Sequence, residues 1–303
     1  MTGTRLQGLI AATYSPLNHA GEVCLDNVPA MMDRLLEDGV SGVYVCGSTG
    51  EGMSLTREER MQITEAWIEA ADKRVPVIVQ VGHNAIAEAA LLAEHAQKSG
   101  ADIVSATCPS YFKIGDVDTL IECMAPIAAA APDLPFYYYH IPGLTGNQLV
   151  MADFLRNGVD RMPNLAGLKY TDTRLNEFQD CVNLQGARFD VVWGCDEMLL
   201  GALATGAEAA IGSTYNIAAP LYRRIISAFQ DGSIEEARQL QSFAVRMIRV
   251  IYRRPFHSSM KVILREMGID LGRCRLPQQP LTEVQEQSLL ADLTSIGFFQ
   301  WGR

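Results

Sequence analysis

Eight short apolar runs, each followed by a segment with helical spacing, punctuate residues 1–231 of this chain. The runs fall at residues 8–13, 42–47, 75–81, 101–107, 136–141, 165–171, 190–193 and 209–213. A strand with one wet face alternates apolar and polar residues. A strand that is apolar throughout is covered on both faces, as in a parallel sheet. Parallel strands need long crossovers, and helices supply them. Eight such units predict a (β/α)8 TIM barrel, an α/β fold for which roughly 250 residues is typical. The rival, a doubly wound open sheet, would more often carry a glycine-rich fingerprint after its first strand. Here Tyr14-Ser15-Pro16-Leu17-Asn18 follows instead.

Helices are expected over residues 28–37, 56–73, 85–98, 117–131, 150–157, 176–184, 198–204 and 220–230. The second opens on a capping box, Thr56-Arg57-Glu58-Glu59, and the fourth is expected to break at Pro126. Residues 232–303 read as three more helices, over 234–253, 260–267 and 283–296, with a proline- and glutamine-rich loop at 273–280. The expected organisation is a barrel over 1–231 and a C-terminal helical extension over 232–303 packed on it.

The composition narrows the partners. With 48% hydrophobic residues and 303 in all, a substantial core is available. The net charge of −10 and the lack of a basic stripe argue against nucleic acid. No run is long enough to span a membrane, and the first seven residues carry no signal-like apolar core. The seven cysteines are odd in number and scattered, with no CxxC pair. They read as reduced thiols in a cytoplasmic protein. No HExxH motif, close histidine cluster or Walker-type loop occurs, so a metal-dependent enzyme is disfavoured.

Only five lysines occur, and Lys169 alone ends a strand-like apolar run. A buried lysine loses hydration, its pKa falls, and its neutral amine becomes available for Schiff-base chemistry on a carbonyl. The alternative is a lysine whose stem lies on apolar surface while its head reaches water. The other strand ends bear on this choice, because a barrel of this kind carries its active site there. Gly47-Ser48-Thr49-Gly50 has the glycines and hydroxyls of an anion cradle able to hold a carboxylate without arginine. It could equally be a plain strand-to-helix turn. In Tyr137-Tyr138-Tyr139, the first and third share a face, where a tyrosine could relay protons or simply pack. His140 reads as structural. Asp196 and Glu197 follow Gly194 and suit either sugar hydroxyls or a helix N-cap. The sixth strand ends in Lys169-Tyr170-Thr171 and the eighth in Gly212-Ser213-Thr214-Tyr215-Asn216.

Three tracts, Gly47-Ser48-Thr49-Gly50-Glu51, Tyr139-His140-Ile141-Pro142-Gly143 and Gly167-Leu168-Lys169, together resemble the N-acetylneuraminate lyase and dihydrodipicolinate synthase superfamily of class I aldolases. The resemblance covers the barrel and reaches into the helical tail. The tracts around Tyr139 and Ser213, and Asp196-Glu197 after Gly194, resemble the lyase branch. Leu144 stands where the synthase branch usually has an arginine for the carboxylate of its second substrate.

The resemblance implies reversible aldol cleavage of N-acetylneuraminate to N-acetylmannosamine and pyruvate, with no cofactor. Lys169 would form the Schiff base and Tyr139 would relay protons. Ser48 and Thr49 would bind the carboxylate. Thr171, Gly194, Asp196, Glu197 and Ser213 would hold the hydroxyl-rich remainder. Tyr111, in the Pro109-Ser110-Tyr111 turn, would reach a neighbouring subunit's site in a homotetramer. Other readings on the same barrel are another pyruvate aldolase of the superfamily or a non-catalytic sugar-acid-binding regulator.

Overall fold

The computed structural model describes residues 5–184 and 188–301; the first four of the seven amino-terminal residues read above for a signal core lie outside these. Eight strands form: β1 (Gly8–Ala12), β2 (Gly42–Val45), β3 (Val77–Gln80), β4 (Ile103–Ala106), β5 (Phe136–His140), β6 (Leu165–Tyr170), β7 (Asp190–Trp193) and β8 (Ala209–Gly212). Each pairs in parallel with the next, and β8 closes on β1, so the sheet is a barrel. The crossover helices are α1 (Val28–Glu37), α2 (Arg57–Ala71), α3 (Ile86–Ser99), α4 (Val117–Ala129), the short α5 (Pro142–Thr145), α6 (Met151–Gly158), α7 (Leu175–Asn183), α8 (Leu199–Ala204) and α9 (Tyr215–Gln230). The extension adds α10 (Ile234–Ile251), α11 (Phe256–Glu266) and α12 (Glu283–Ser295).

All the strands but β7 end before their apolar runs do, because the last residues of those runs turn out of the ladder to build loops. Cys46, just after β2, has φ 57°, and Glu51 has φ 53°. The Thr56–Glu59 capping box forms as expected. Two proline expectations need correction. The fourth helix is continuous through Pro126, which sits in its last turn. The bond it omits would run to the carbonyl of Glu122, an exposed residue that water can satisfy. The ninth helical segment begins at Tyr215, not at Pro220. A kink at Ala218 (φ −147°) separates its first turn from the part that Pro220 leads.

Alternation along each strand divides the core in two. Ile10, Tyr44, Ile78, Tyr137, Tyr139 and Val192 fill the barrel's interior. Their neighbours Val43, Tyr138, Leu168, Tyr170 and Trp193 pack outward under the helices, in the same cluster as Met247 of α10 and Leu289 of α12. The 273–280 loop, read as a mere connector, returns to the barrel mouth. Arg275 grips Glu59 of α2 with two bonds of 2.6 Å and also reaches the carbonyls of Gly21 and Ser54. Among the described residues no helix is long and apolar enough to cross a membrane.

Candidate active site

Register brings the first two residues together. Tyr139 of β5 and Lys169 of β6 are direct partners across the ladder. Side chains in register on neighbouring parallel strands share a face, so both point into the barrel near its carboxyl end. Lys169 is 4% exposed. Burial pushes its amine down to about 7, against an opposing pull from Asp196 and Cys195. Its nitrogen lies 4.0 Å from the Tyr139 ring centroid and 3.9 Å from that of Tyr44 on β2. Burial pushes the Tyr139 hydroxyl up to about 12, with the Ser48 and Thr171 hydroxyls pulling the other way. It is therefore a protonated phenol at neutral pH, 3.4 Å from Ser48 Oγ.

The β2–α2 loop has the form of a cradle. Thr49 Oγ1 sits 2.6 Å from Ser213 Oγ, so the loops after β2 and β8 meet across the mouth. Gly52 is obligatory: a Cβ there would lie 2.0 Å from the Cys46 carbonyl oxygen. Glu51 faces away from the site. Its carboxylate lies 3.3 Å from Lys261 Nζ of α11, both side chains nearly fully buried, and accepts the Arg275 N–H at 2.8 Å. The extension thus anchors the cradle's far end.

The opposite rim comes from β7 and β8. Asp196 does not cap its helix; no side-chain cap bond forms there. Instead its Oδ2 accepts the Thr214 N–H at 2.8 Å and the Thr214 hydroxyl at 2.6 Å. Burial, reinforced by Glu197, pushes Asp196 up to about 7. A Cβ on Gly212 would meet Asp196 Oδ1 at 1.9 Å, and one on Gly194 would meet Thr171 Oγ1 at 2.0 Å. Both glycines therefore let polar side chains lie against the backbone. Gln241 of α10 donates to the carbonyls of Asp196 and Glu197 at 3.2 and 3.0 Å and accepts the Leu200 N–H. Gln241, Lys261 and Tyr44 went unnoticed in the sequence. Of the three, only Tyr44 left a signal, as an inward-facing aromatic next to a strand end.

Two residues lie elsewhere. Tyr111 stands 81% exposed beside the equally exposed Phe112, whereas Lys169 is buried. His140 points outward between Tyr138 and Tyr170. Burial holds its imidazole down at about 4, so it is neutral. With Asp172 and Glu177 it has the spacing of a metal-ligand group. Those carboxylates are already engaged: Arg174 pairs with both, and Glu177 also accepts from Tyr170 and from the Met151 N–H. This group lies outside the barrel wall, behind the site.

A closed (β/α)8 barrel with a buried lysine on its sixth strand, a phenol in register beside it and hydroxyl-lined loops at its carboxyl end defines a class of enzyme scaffold. Residues 5–296 match the model of the dihydrodipicolinate synthetase family, and the chain belongs to that family. It is 40% identical to the N-acetylneuraminate lyase of Xenopus tropicalis over 279 residues, 91% of each protein. The Proteus mirabilis N-acetylneuraminate lyase structure superposes with a TM-score of 0.95 at 36% identity, covering 97% of this chain and 100% of that one. The native sialic acid aldolase of Aliivibrio salmonicida gives 0.95 at 38% identity, covering 98% of each.

Proposed function

We propose that this enzyme is a Schiff-base aldolase that reversibly cleaves N-acetylneuraminate to N-acetyl-D-mannosamine and pyruvate. The observation that carries the reading is Lys169: buried, with an amine near pKa 7, beside a protonated Tyr139. A lysine that is substantially neutral at pH 7 can attack a ketone carbon.

Attack by the Lys169 amine expels the ketone oxygen as water and leaves a protonated imine. The bond between C3 and C4 of the sugar acid then breaks. Its electron pair flows into the imine, giving an enamine, while the C4 hydroxyl loses its proton and becomes the aldehyde of the departing sugar. Tyr139 takes that proton as it passes its own along the Ser48 hydroxyl. Protonation and hydrolysis of the enamine release pyruvate. The lysine itself supplies the electron sink, so the chemistry needs no cofactor.

Ser48 and Thr49 hold the carboxylate through hydroxyls and loop N–H groups. Thr171, Asp196, Glu197 and Ser213 bind the hydroxyl-rich remainder, with Gly194 allowing close approach. We take residues 1–231 as the barrel and 232–303 as the extension that pins it, and place the protein in the cytoplasm as a homotetramer. All seven cysteines are free, which suits a reducing compartment. Tyr111, Phe112 and Leu144 are large exposed apolar residues on the β4 and β5 loops, which Lys113 ties together through the carbonyls of Ser110 and Thr145. A neighbouring subunit would cover them.

Coupled detection of pyruvate tests the reading. N-acetylneuraminate should yield stoichiometric pyruvate. Turnover of other 2-keto sugar acids or of aspartate semialdehyde with pyruvate, but not of N-acetylneuraminate, would reassign the substrate within the family.

A further inference from the structure

We propose that Tyr44 is a further catalytic residue: its ring face, with that of Tyr139, holds the cationic nitrogen that Lys169 carries once the imine has formed. The proposal rests on the Schiff-base reading and adds the means by which a dry site tolerates the charge.

Imine formation joins the lysine nitrogen to the ketone carbon, takes up one proton and releases one water. The nitrogen is left with a double bond and a full positive charge. Desolvation, which makes the amine neutral and nucleophilic, penalises that charge equally. Something in the site must offset it. A carboxylate in contact would do so, but it would also hold the proton on the free amine and weaken attack. Lys169 makes none of the ion pairs found among the described residues. Asp196, the carboxylate that acts on it, directs its Oδ2 at Thr214 instead.

What does touch the nitrogen is a wedge of two aromatic faces. The Tyr44 and Tyr139 rings have centroids 5.6 Å apart and planes at 80°, and the nitrogen lies 3.9 and 4.0 Å from the two centroids. The negative face of an aromatic quadrupole attracts a cation within about 6 Å, and most strongly when water is excluded. It attracts the protonated amine too, but more weakly than a carboxylate in contact would, so the amine still sheds its proton near neutral pH.

Tyr44 is built for this position. It is fully buried, and its hydroxyl lies 3.1 Å from Ser105 Oγ, away from the chemistry. Burial raises its pKa well above the ordinary value, so it stays a neutral ring. Gly47 lies flat against it; a Cβ there would come within 2.7 Å of Tyr44 Cε1. The glycine that shapes the carboxylate cradle therefore also fixes the Tyr44 ring. Tyr139 has a proton to move, whereas Tyr44 has only its face to offer.

The test replaces Tyr44 with phenylalanine and with mono-, di- and trifluorinated phenylalanines, which weaken the quadrupole at nearly constant shape. Imine formation with pyruvate is measured by borohydride trapping and intact mass across pyruvate concentrations, with melting temperature as a folding check. Tyr44→Phe should bind within about twofold of the parent. Imine affinity should then fall stepwise with fluorination, by about tenfold at the trifluoro ring. Tyr44→Leu should lose at least as much. Equal affinity across the fluorinated series would overturn the proposal. No adduct in the parent protein would instead sink the Schiff-base reading, and the proposal with it.

Discussion

Lys261→Met isolates the contact by which the helical extension holds the β2–α2 loop. In the folded protein Lys261 Nζ lies 3.3 Å from Glu51, and both side chains are about as buried as a core leucine. At that separation and an effective dielectric near 20, the attraction is about 5 kcal/mol before desolvation is subtracted. Removing one partner leaves the other buried and unpaired, which costs about 3–5 kcal/mol. Glu51 would keep the Arg275 N–H but lose its cationic partner, beside a backbone already in the left-handed region at φ 53°. Urea unfolding of the parent, of Lys261→Met, of Glu51→Gln and of the double variant Glu51→Gln/Lys261→Met reads the cycle. Lys261→Met should lose about 3–5 kcal/mol, and the double variant should regain about 2 kcal/mol, because no unpaired charge is left. The Lys261→Met KM for the keto acid should rise about tenfold as the cradle loosens, with a smaller change in kcat. Lys261→Met stability within about 0.5 kcal/mol of the parent, or a double variant no better than Lys261→Met, would refute the reasoning.

Further outcomes follow from the same geometry. Tyr139→Phe should still form the imine with pyruvate while cleavage drops about 100-fold or more, since the ring remains and only the proton path is cut; unchanged turnover would remove Tyr139 from the relay. Asp196, held up near 7 by burial, binds its proton more tightly folded than unfolded, so the stability from that proton is full below about pH 4 and lost as pH rises through 7. Asp196→Asn should therefore gain stability relative to the parent between pH 5 and pH 8, by roughly 2–4 kcal/mol; a difference that does not change with pH would contradict the raised pKa.

How much of this was legible in the sequence depends on the range of the interaction that sets each feature. The eight strands were readable because burial on both faces writes an unbroken apolar run, and the α2 start because a capping box is complete within four residues. Strand parity and barrel topology put Lys169 at a strand end and Tyr137 and Tyr139 on one face, and only the family resemblance singled out Tyr139. The two prolines misled because a proline's cost depends on which carbonyl it strands. At Pro126 that carbonyl belongs to an exposed residue, and at Pro220 the kink had already occurred two residues earlier. Glu51–Lys261, Gln241 with the Asp196 loop, and Arg275–Glu59 join positions 45 to 216 residues apart, and none carries a local pattern. The tail therefore read as an appendix, although it braces both rims of the site. The Asp196-Glu197 pair suited a cap equally well in sequence, and only the packing of Gly212 and Thr214 against Asp196 decides its use.

The central claim is that Lys169 is the nucleophile, and borohydride trapping tests it most directly. Parent protein incubated with pyruvate and then reduced should gain the mass of one reduced pyruvate adduct per chain, with peptide mapping placing it on Lys169. The yield at subsaturating pyruvate should rise with pH through about 7, as the amine loses its proton. Lys169→Ala should gain nothing. An adduct that persists in Lys169→Ala, or that maps to any of the other four lysines, would contradict the account.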